Sequence, residues 1–365
     1  MELSMFSRMK FFWVFCLVIA LAGCGGATVM FRGDATHSGN ASSSGIKELD
    51  KLKWKYALPD KSYSSPIAAD GQVFLGGKDG HLYAINASDG SINWKFRTEG
   101  NIEVPVALSG GTVYLASWDG NLYAINADNG ETRWNFRTKG QIYSAPTIHD
   151  GVVYFGSEDQ NLYAVNAETG AEVWSFKTKG GIPTSPAVRD KFVYVSSLDG
   201  FMYAVNIKSG QEQWKFRVGS RIYSSPAIDE DKLYFGSDNK RMYAINLKTG
   251  QEVWNKKTAG RVYSSPAILD DSVIFGSGDS YVYSLNKKNG KRRWEYKTEG
   301  AVLSSPTIAS DITYIGSHDN HLYALSENGK LLWKYKTSGK VLGSPAVYNS
   351  MVLFNSIKGE LYAVK

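Results

Sequence analysis

Tyr163-Ala164-Val165-Asn166-Ala167-Glu168-Thr169-Gly170-Ala171-Glu172-Val173-Trp174 is the stretch whose reading decides the fold. It returns about every forty residues. Trp54, Trp94, Trp134, Trp174, Trp214, Trp254, Trp294 and Trp333 mark the unit eight times. Pro66, Pro105, Pro146, Pro186, Pro226, Pro266, Pro306 and Pro345 run in step with them. Repeats of this length stack into one body, so they override the two or three domains that 365 residues would otherwise suggest.

Within one unit the pattern is of strands. Ser144–Ile148 is a short extended segment whose Pro146 suits the start or edge of a strand, because proline has no N–H to pair. Val152–Ser157 and Asn161–Asn166 follow across short turns, and Glu172–Lys177 closes the unit with alternating burial. No helical period appears. Four strands in forty residues is the period of a propeller blade. The body opens on a lone fourth strand, Leu52-Lys53-Trp54-Lys55-Tyr56, and finishes on a third strand, Glu360 to Lys365. The two complete each other. We therefore expect an all-β, eight-bladed β-propeller of four-stranded blades, closed by the N-terminal strand pairing into the last blade.

Composition agrees. Hydrophobic content of 43% is enough for a core, and 22 Tyr, 10 Trp and 37 Gly suit short strands joined by tight turns. A net charge of +6 over this length points to ordinary solubility rather than nucleic acid. The only cysteines are Cys16 and Cys24, so the body has no disulfide, thiolate metal site or cysteine nucleophile.

Arg8 and Lys10 precede an apolar run from Phe11 to Ala20, too short to span a bilayer comfortably. It ends in Leu21-Ala22-Gly23-Cys24, which resembles the bacterial lipobox. That resemblance implies a signal peptide over residues 1–23 and acylation, including palmitate, of Cys24. Several acyl chains suffice for stable attachment where one does not. No Asp follows the cysteine, so the outer membrane is the expected location. Residues 24–50 then read as the acylated cysteine and a flexible Gly/Ser/Thr/Ala-rich tether, and 51–365 as the propeller. Inside the tether, Phe31-Arg32-Gly33-Asp34 reads as a segment whose Phe31 packs on the body.

Ala84-x-Asn86-x-x-Asp89-Gly90-x-x-x-Trp94 resembles the tryptophan-docking motif of quinoprotein-like (PQQ-repeat) eight-bladed propellers. It recurs at Ala124–Trp134, Ala164–Trp174, Ala204–Trp214 and Ala244–Trp254; Ser284 replaces its alanine, and the Ala324–Trp333 copy is one residue short. The resemblance implies that each tryptophan docks between blades. One branch of that family binds pyrroloquinoline quinone with Ca²⁺ under an adjacent Cys-Cys disulfide, which this body lacks. The other branch is non-catalytic and includes lipoproteins of outer-membrane β-barrel assembly. We therefore expect a monomeric scaffold with no catalytic residue, cofactor or metal. Its expected partners are envelope proteins, the barrel-assembly machinery first, with the membrane met through the lipid and no nucleic acid. The alternatives are a PQQ-dependent oxidoreductase and a carbohydrate-binding surface protein.

Function should sit where the copies disagree. Three residues before each Pro stand Tyr63, Ile102, Tyr143, Pro183, Tyr223, Tyr263, Leu303 and Leu342. Five before it, Lys61, Arg221, Arg261 and Lys340 make a basic arc, extended by Lys240 and Arg241. Across the ring, turns carry Trp118, Leu198 and Phe201, apolar residues of the kind that contact partners. The series Asp79, Asp119, Asp159, Asp199, Asp279 and Asp319 reads as turn chemistry, and His318 with His321 lacks a third metal ligand.

Overall fold

The computed structural model describes residues 28–365; the signal peptide and Cys24 lie outside the described residues. Each repeat forms one four-stranded antiparallel sheet, and eight such sheets make the ring. The first strands of blades 1 to 8 are Ile67–Ala69, Ala107–Ser109, Thr147–His149, Ala187–Arg189, Ala227–Asp229, Ala267–Leu269, Thr307–Ala309 and Ala346–Tyr348. Leu52–Ala57 pairs antiparallel with Glu360–Val364 and completes blade 8, as the register of the two ends predicts. No helix occurs among the described residues.

Burial follows position in the blade. The second and third strands are covered on both faces, as Val152–Gly156 and Asn161–Asn166 show. The fourth strand, such as Glu172–Lys177, alternates because one of its faces meets water. The apolar contacts run between blades: Ala187, Tyr194 and Met202 of blade 4 pack with Ile228, Leu233, Phe235 and Tyr243 of blade 5. Each blade is thus buried by its neighbours.

The tryptophans are joints with a defined socket. Trp214 Nε1 donates to the Leu247 carbonyl of the next blade at 2.8 Å, and Trp174 does the same to Ile207 at 2.7 Å. The indole also lies flat on the glycine of the next blade's copy of the motif. A Cβ on Gly250 (φ +68°) would stand 2.7 Å from Trp214 Cδ2. The motif's Gly and Trp therefore belong to one contact, made by two neighbouring copies. Trp54, Trp254 and Trp333 are buried, while Trp94, Trp134, Trp174, Trp214 and Trp294 keep an edge in solvent.

Residues 28–50 depart from the expected tether. They are threaded across the channel. The carbonyls of Ala35, Thr36, Ser38 and Gly39 accept from the N–H groups of Val188, Ile228, Ile268 and Ile308, the innermost strands of blades 4 to 7. Val29 bridges Leu108 of blade 2. Gly and Ser here supply tight turns rather than slack: Asp34 Oδ1 accepts from Thr36 N at 2.9 Å and Ser38 N at 3.2 Å. Further on, the Ile46 carbonyl accepts from Trp333 Nε1 at 3.1 Å. Blade 8 has no continuous hairpin between its third and fourth strands, and Ile46 supplies the carbonyl that such hairpins give elsewhere.

The packing assigned to Phe31 falls instead to its neighbours. Phe31 is half-buried, whereas Met30, Arg32 and His37 are buried. Arg32 donates to the carbonyls of Pro306 and Pro266. Burial pulls its pKa down to about 9, so it remains cationic at neutral pH. His37 Nδ1 lies 3.1 Å from the Pro226 carbonyl, and Nε2 lies 3.2 Å from Thr147 Oγ1. Burial pushes His37 down to about 4. One arginine and one histidine thus reach four blades.

Two outcomes follow. Gly250→Ala will lower the urea midpoint more than Gly151→Ala: both sites have positive φ, but only Gly250 meets an indole while Gly151 faces open space. Equal losses would detach the glycine from the joint. His37 is neutral when folded, so its stability contribution is whole above the unfolded value of 6.5 and is lost as pH falls toward about 4. The loss reaches on the order of 3 kcal/mol. His37→Gln will flatten that part of the stability–pH curve; an unchanged slope would contradict it.

Candidate functional site

The fourth-to-first and second-to-third connections meet on one face, as their backbone bonds show. Lys78 N donates to the Lys61 carbonyl at 2.9 Å, Trp118 N to Asn101 at 3.0 Å, and Asp238 N to Arg221 at 3.0 Å. Residues 28–50 plug the channel, and this plug meets first-to-second strand turns on the face opposite the mouth: Thr28 Oγ1 is 3.0 Å from Ser109 Oγ, and Gly45 N donates to Ser310 Oγ at 3.1 Å.

At blade 2 the proline is out of register. The residue preceding the first strand is Pro146 in blade 3 but Val106 in blade 2, so Pro105 stands one position early. Ile102 is therefore a core residue, fully buried, and Glu103 takes the tyrosine position of the mouth. The Ser-Ser-Pro run has a structural use. Ser185, Ser225 and Ser265 N–H groups donate to Ser225, Ser265 and Ser305 Oγ at 3.0, 2.9 and 2.9 Å, forming a girdle from blade to blade. Val104-Pro105-Val106 interrupts it.

The cations of the basic arc lie in the fourth-to-first connections and differ in their pairing. Arg261 Nε sits 3.0 Å from Asp238 Oδ1, and Tyr263 OH donates to the same carboxylate at 2.8 Å. Lys78 faces Glu103 at 3.8 Å and lies 5.5 Å from the Tyr63 ring. Lys61, Arg221, Lys240 and Lys340 are exposed and form no ion pair among the described residues. Tyr223 is 38% exposed and meets Tyr263 edge to face at 5.2 Å. Arg241 instead donates to Asn255 in the fourth strand.

The apolar turns are less exposed than expected. Trp118 and Leu198 are half-buried. Trp118 leans on Tyr143 of the next blade, ring centres 4.7 Å apart, and its Nε1 has no partner among the described residues. Phe201 does not join them. It starts the strand Phe201–Asn206, pairs with Arg217 of the outer strand and packs on Tyr203 at 5.9 Å. Beside Trp118 runs a surface cleft of about 630 Å³ that also takes in Arg137, Lys139 and Gln141. Arg137 repeats a position that carries a cation in other blades, such as Arg97 and Lys177, so the sequence gives it no distinction, whereas Lys139 stands where Glu99 and Glu299 stand in other blades. On the next blade, burial raises the Glu158 carboxyl above its ordinary range.

The aspartate series is more than turn chemistry. Asp159 Oδ2 accepts from Tyr163 OH at 2.8 Å within its blade and from Lys139 N at 2.9 Å in the strand connection entering that blade. Asp319 does the same with Tyr323 and Glu299. Although burial opposes it, these bonds hold both carboxyls below their usual range. His321 lies tilted beside Tyr323, ring centres 5.9 Å apart, and bonds Asp319; burial and Lys340 lower His318. No group of three or more His, Cys, Asp or Glu converges as a metal site among the described residues.

Eight four-stranded blades, a closing N-terminal strand and tryptophans docked on the next blade define a propeller of the PQQ-repeat type. Residues 101–288, a little over half the chain, match the family described as beta-alanine-activating enzyme, beta-propeller. Residues 44–105 and 297–365 match outer membrane protein assembly factor BamB. The chain belongs to the first of these two families, and in architecture it is a BamB-like PQQ-repeat propeller. It is similar in fold to BamB from Moraxella catarrhalis, at 20% identity and a TM-score of 0.74, over 86% of this chain and 97% of that one. The quinohemoprotein alcohol dehydrogenase ADHIIG from Pseudomonas putida HK5 aligns at 16% identity and a TM-score of 0.81, over 92% and 80%. The computationally designed Ika8 protein aligns at 16% and 0.77, over 87% and 99%. No curated protein sequence matches the chain.

Proposed function

We propose that this protein is a non-catalytic, lipid-anchored scaffold of the bacterial envelope, acting in outer-membrane β-barrel protein assembly. The observation that carries the reading is the mouth face. Its repeated polar groups, the serines and aspartates, are occupied in blade-to-blade bonds. What differs between blades is a set of exposed cations and aromatic edges suited to a protein surface. The BamB-like family supports the process, and the lipobox supports the location. A partner with an acidic patch would meet Arg221 and Lys340 first, because neither cation is paired among the described residues.

The oxidoreductase reading rests on fold alone, since the dehydrogenase named above is 16% identical. Crosslinking in native membranes followed by purification will recover the barrel-assembly machinery with the wild-type chain. Arg221→Glu combined with Lys340→Glu will lose that partner with no shift in melting temperature. Retention by the double variant would contradict the docking face. A stoichiometric chromophore after adding quinone and Ca²⁺ would replace the scaffold reading with the enzyme.

A further inference from the structure

We propose that the propeller is moored with its plug face toward the bilayer and its mouth face turned away from it. The argument joins a threaded segment to a short length of chain. Val29 is locked to Leu108 in both directions, N to O at 3.0 Å and O to N at 2.7 Å. Thr28 lies on the first-to-second strand turn of blade 2, through Ser109. The path onward is held by backbone bonds to blades 4, 5, 6 and 7 and by the buried Arg32 and His37, so Thr28 cannot slide along the channel. The chain thus enters the ring from the plug face at one fixed place.

Cys24 stands four residues before Thr28. Four residues reach at most about 14 Å. Passing to the mouth face means crossing the blade radially, three strand spacings or roughly 14 Å, and then climbing a five-residue strand of about 17 Å. The shortcut through the channel is crossed by residues 30–39, with Met30, Arg32 and His37 buried there and the backbone bonded to the innermost strands of blades 4 to 7. An acyl anchor at Cys24 therefore reaches a bilayer beside the plug face and does not reach one beside the mouth. This rests on the lipoprotein reading of Cys24. It deepens the proposed function by giving the mouth face its surroundings. The exposed Arg221, Tyr223 and Lys340 look into the aqueous compartment, toward a protein's soluble domain rather than the headgroups of the anchoring leaflet.

The body has no other cysteine, so single thiols report position cleanly. Lys248 and Arg221 are both exposed in blade 5, on the plug face and the mouth face respectively. Lys248→Cys and Arg221→Cys would each be labelled with a small fluorophore in the full acylated protein. Each would then be reconstituted into phosphatidylethanolamine/phosphatidylglycerol vesicles containing a nitroxide-labelled lipid. The expected result is quenching several-fold stronger at position 248 than at 221. Equal quenching, which an edge-on disc would give, or stronger quenching at 221 overturns the proposal. Cys24→Ala separates the two readings. Loss of vesicle attachment in that variant upholds the anchor, so an adverse quenching ratio then falls on the orientation alone. Attachment that survives it overturns both.

Discussion

Everything in this ring depends on an indole lying on a glycine of the next blade. Neither partner is useful inside its own repeat. Trp214 finds its acceptor, Leu247, and its flat surface, Gly250, only when a second copy is beside it. A blade cannot bury its faces alone, so the stability of each is conditional on its neighbours, as in other stacked-repeat architectures. The Asp-Tyr pair adds a polar counterpart on the mouth side, where Asp159 holds Tyr163 and the backbone of Lys139 together.

A ring made of such joints still has to close, and closure uses parts that are not repeated. Leu52–Ala57 completes the last sheet. Ile46 gives Trp333 the carbonyl that a hairpin gives each of the other seven docking tryptophans. Residues 28–40 then tie blades 2, 4, 5, 6 and 7 across the channel. The same segment carries a buried arginine and a buried histidine, groups that are costly inside a protein unless bonded. Both find backbone carbonyls at the prolines that start the innermost strands. Pro306, Pro266 and Pro226 thus serve twice, as strand starts and as acceptors for the plug.

Most of the architecture was legible in the residues because it is written eight times. The Trp, Gly and Asn spacing gives the blade, and the unmatched strands at the two ends give the closure. What could not be read is what occurs once. The 24–50 stretch has the composition of a tether, and composition is blind to Arg32 and His37 bonding carbonyls more than a hundred residues away. The mouth suffered from a related problem. Counting from prolines assumed a constant register, and Pro105 breaks it by one residue, which hid Glu103 behind the core residue Ile102. Arg261 looked free until folding placed Asp238 beside it. The mouth that results is a mixed surface, with paired charges between blades 5 and 6 and cations on blades 1, 5 and 8 that pair with no carboxylate among the described residues.

The most direct test of this account is native-state hydrogen exchange on Arg32→Met. If the N-terminal segment is a structural member of the ring, removing its buried cation will speed exchange at the Val188, Ile228, Ile268 and Ile308 amides together. The ladders between second and third strands will stay protected. Unchanged protection at those four amides would mean that the segment merely lies in a ring already closed without it.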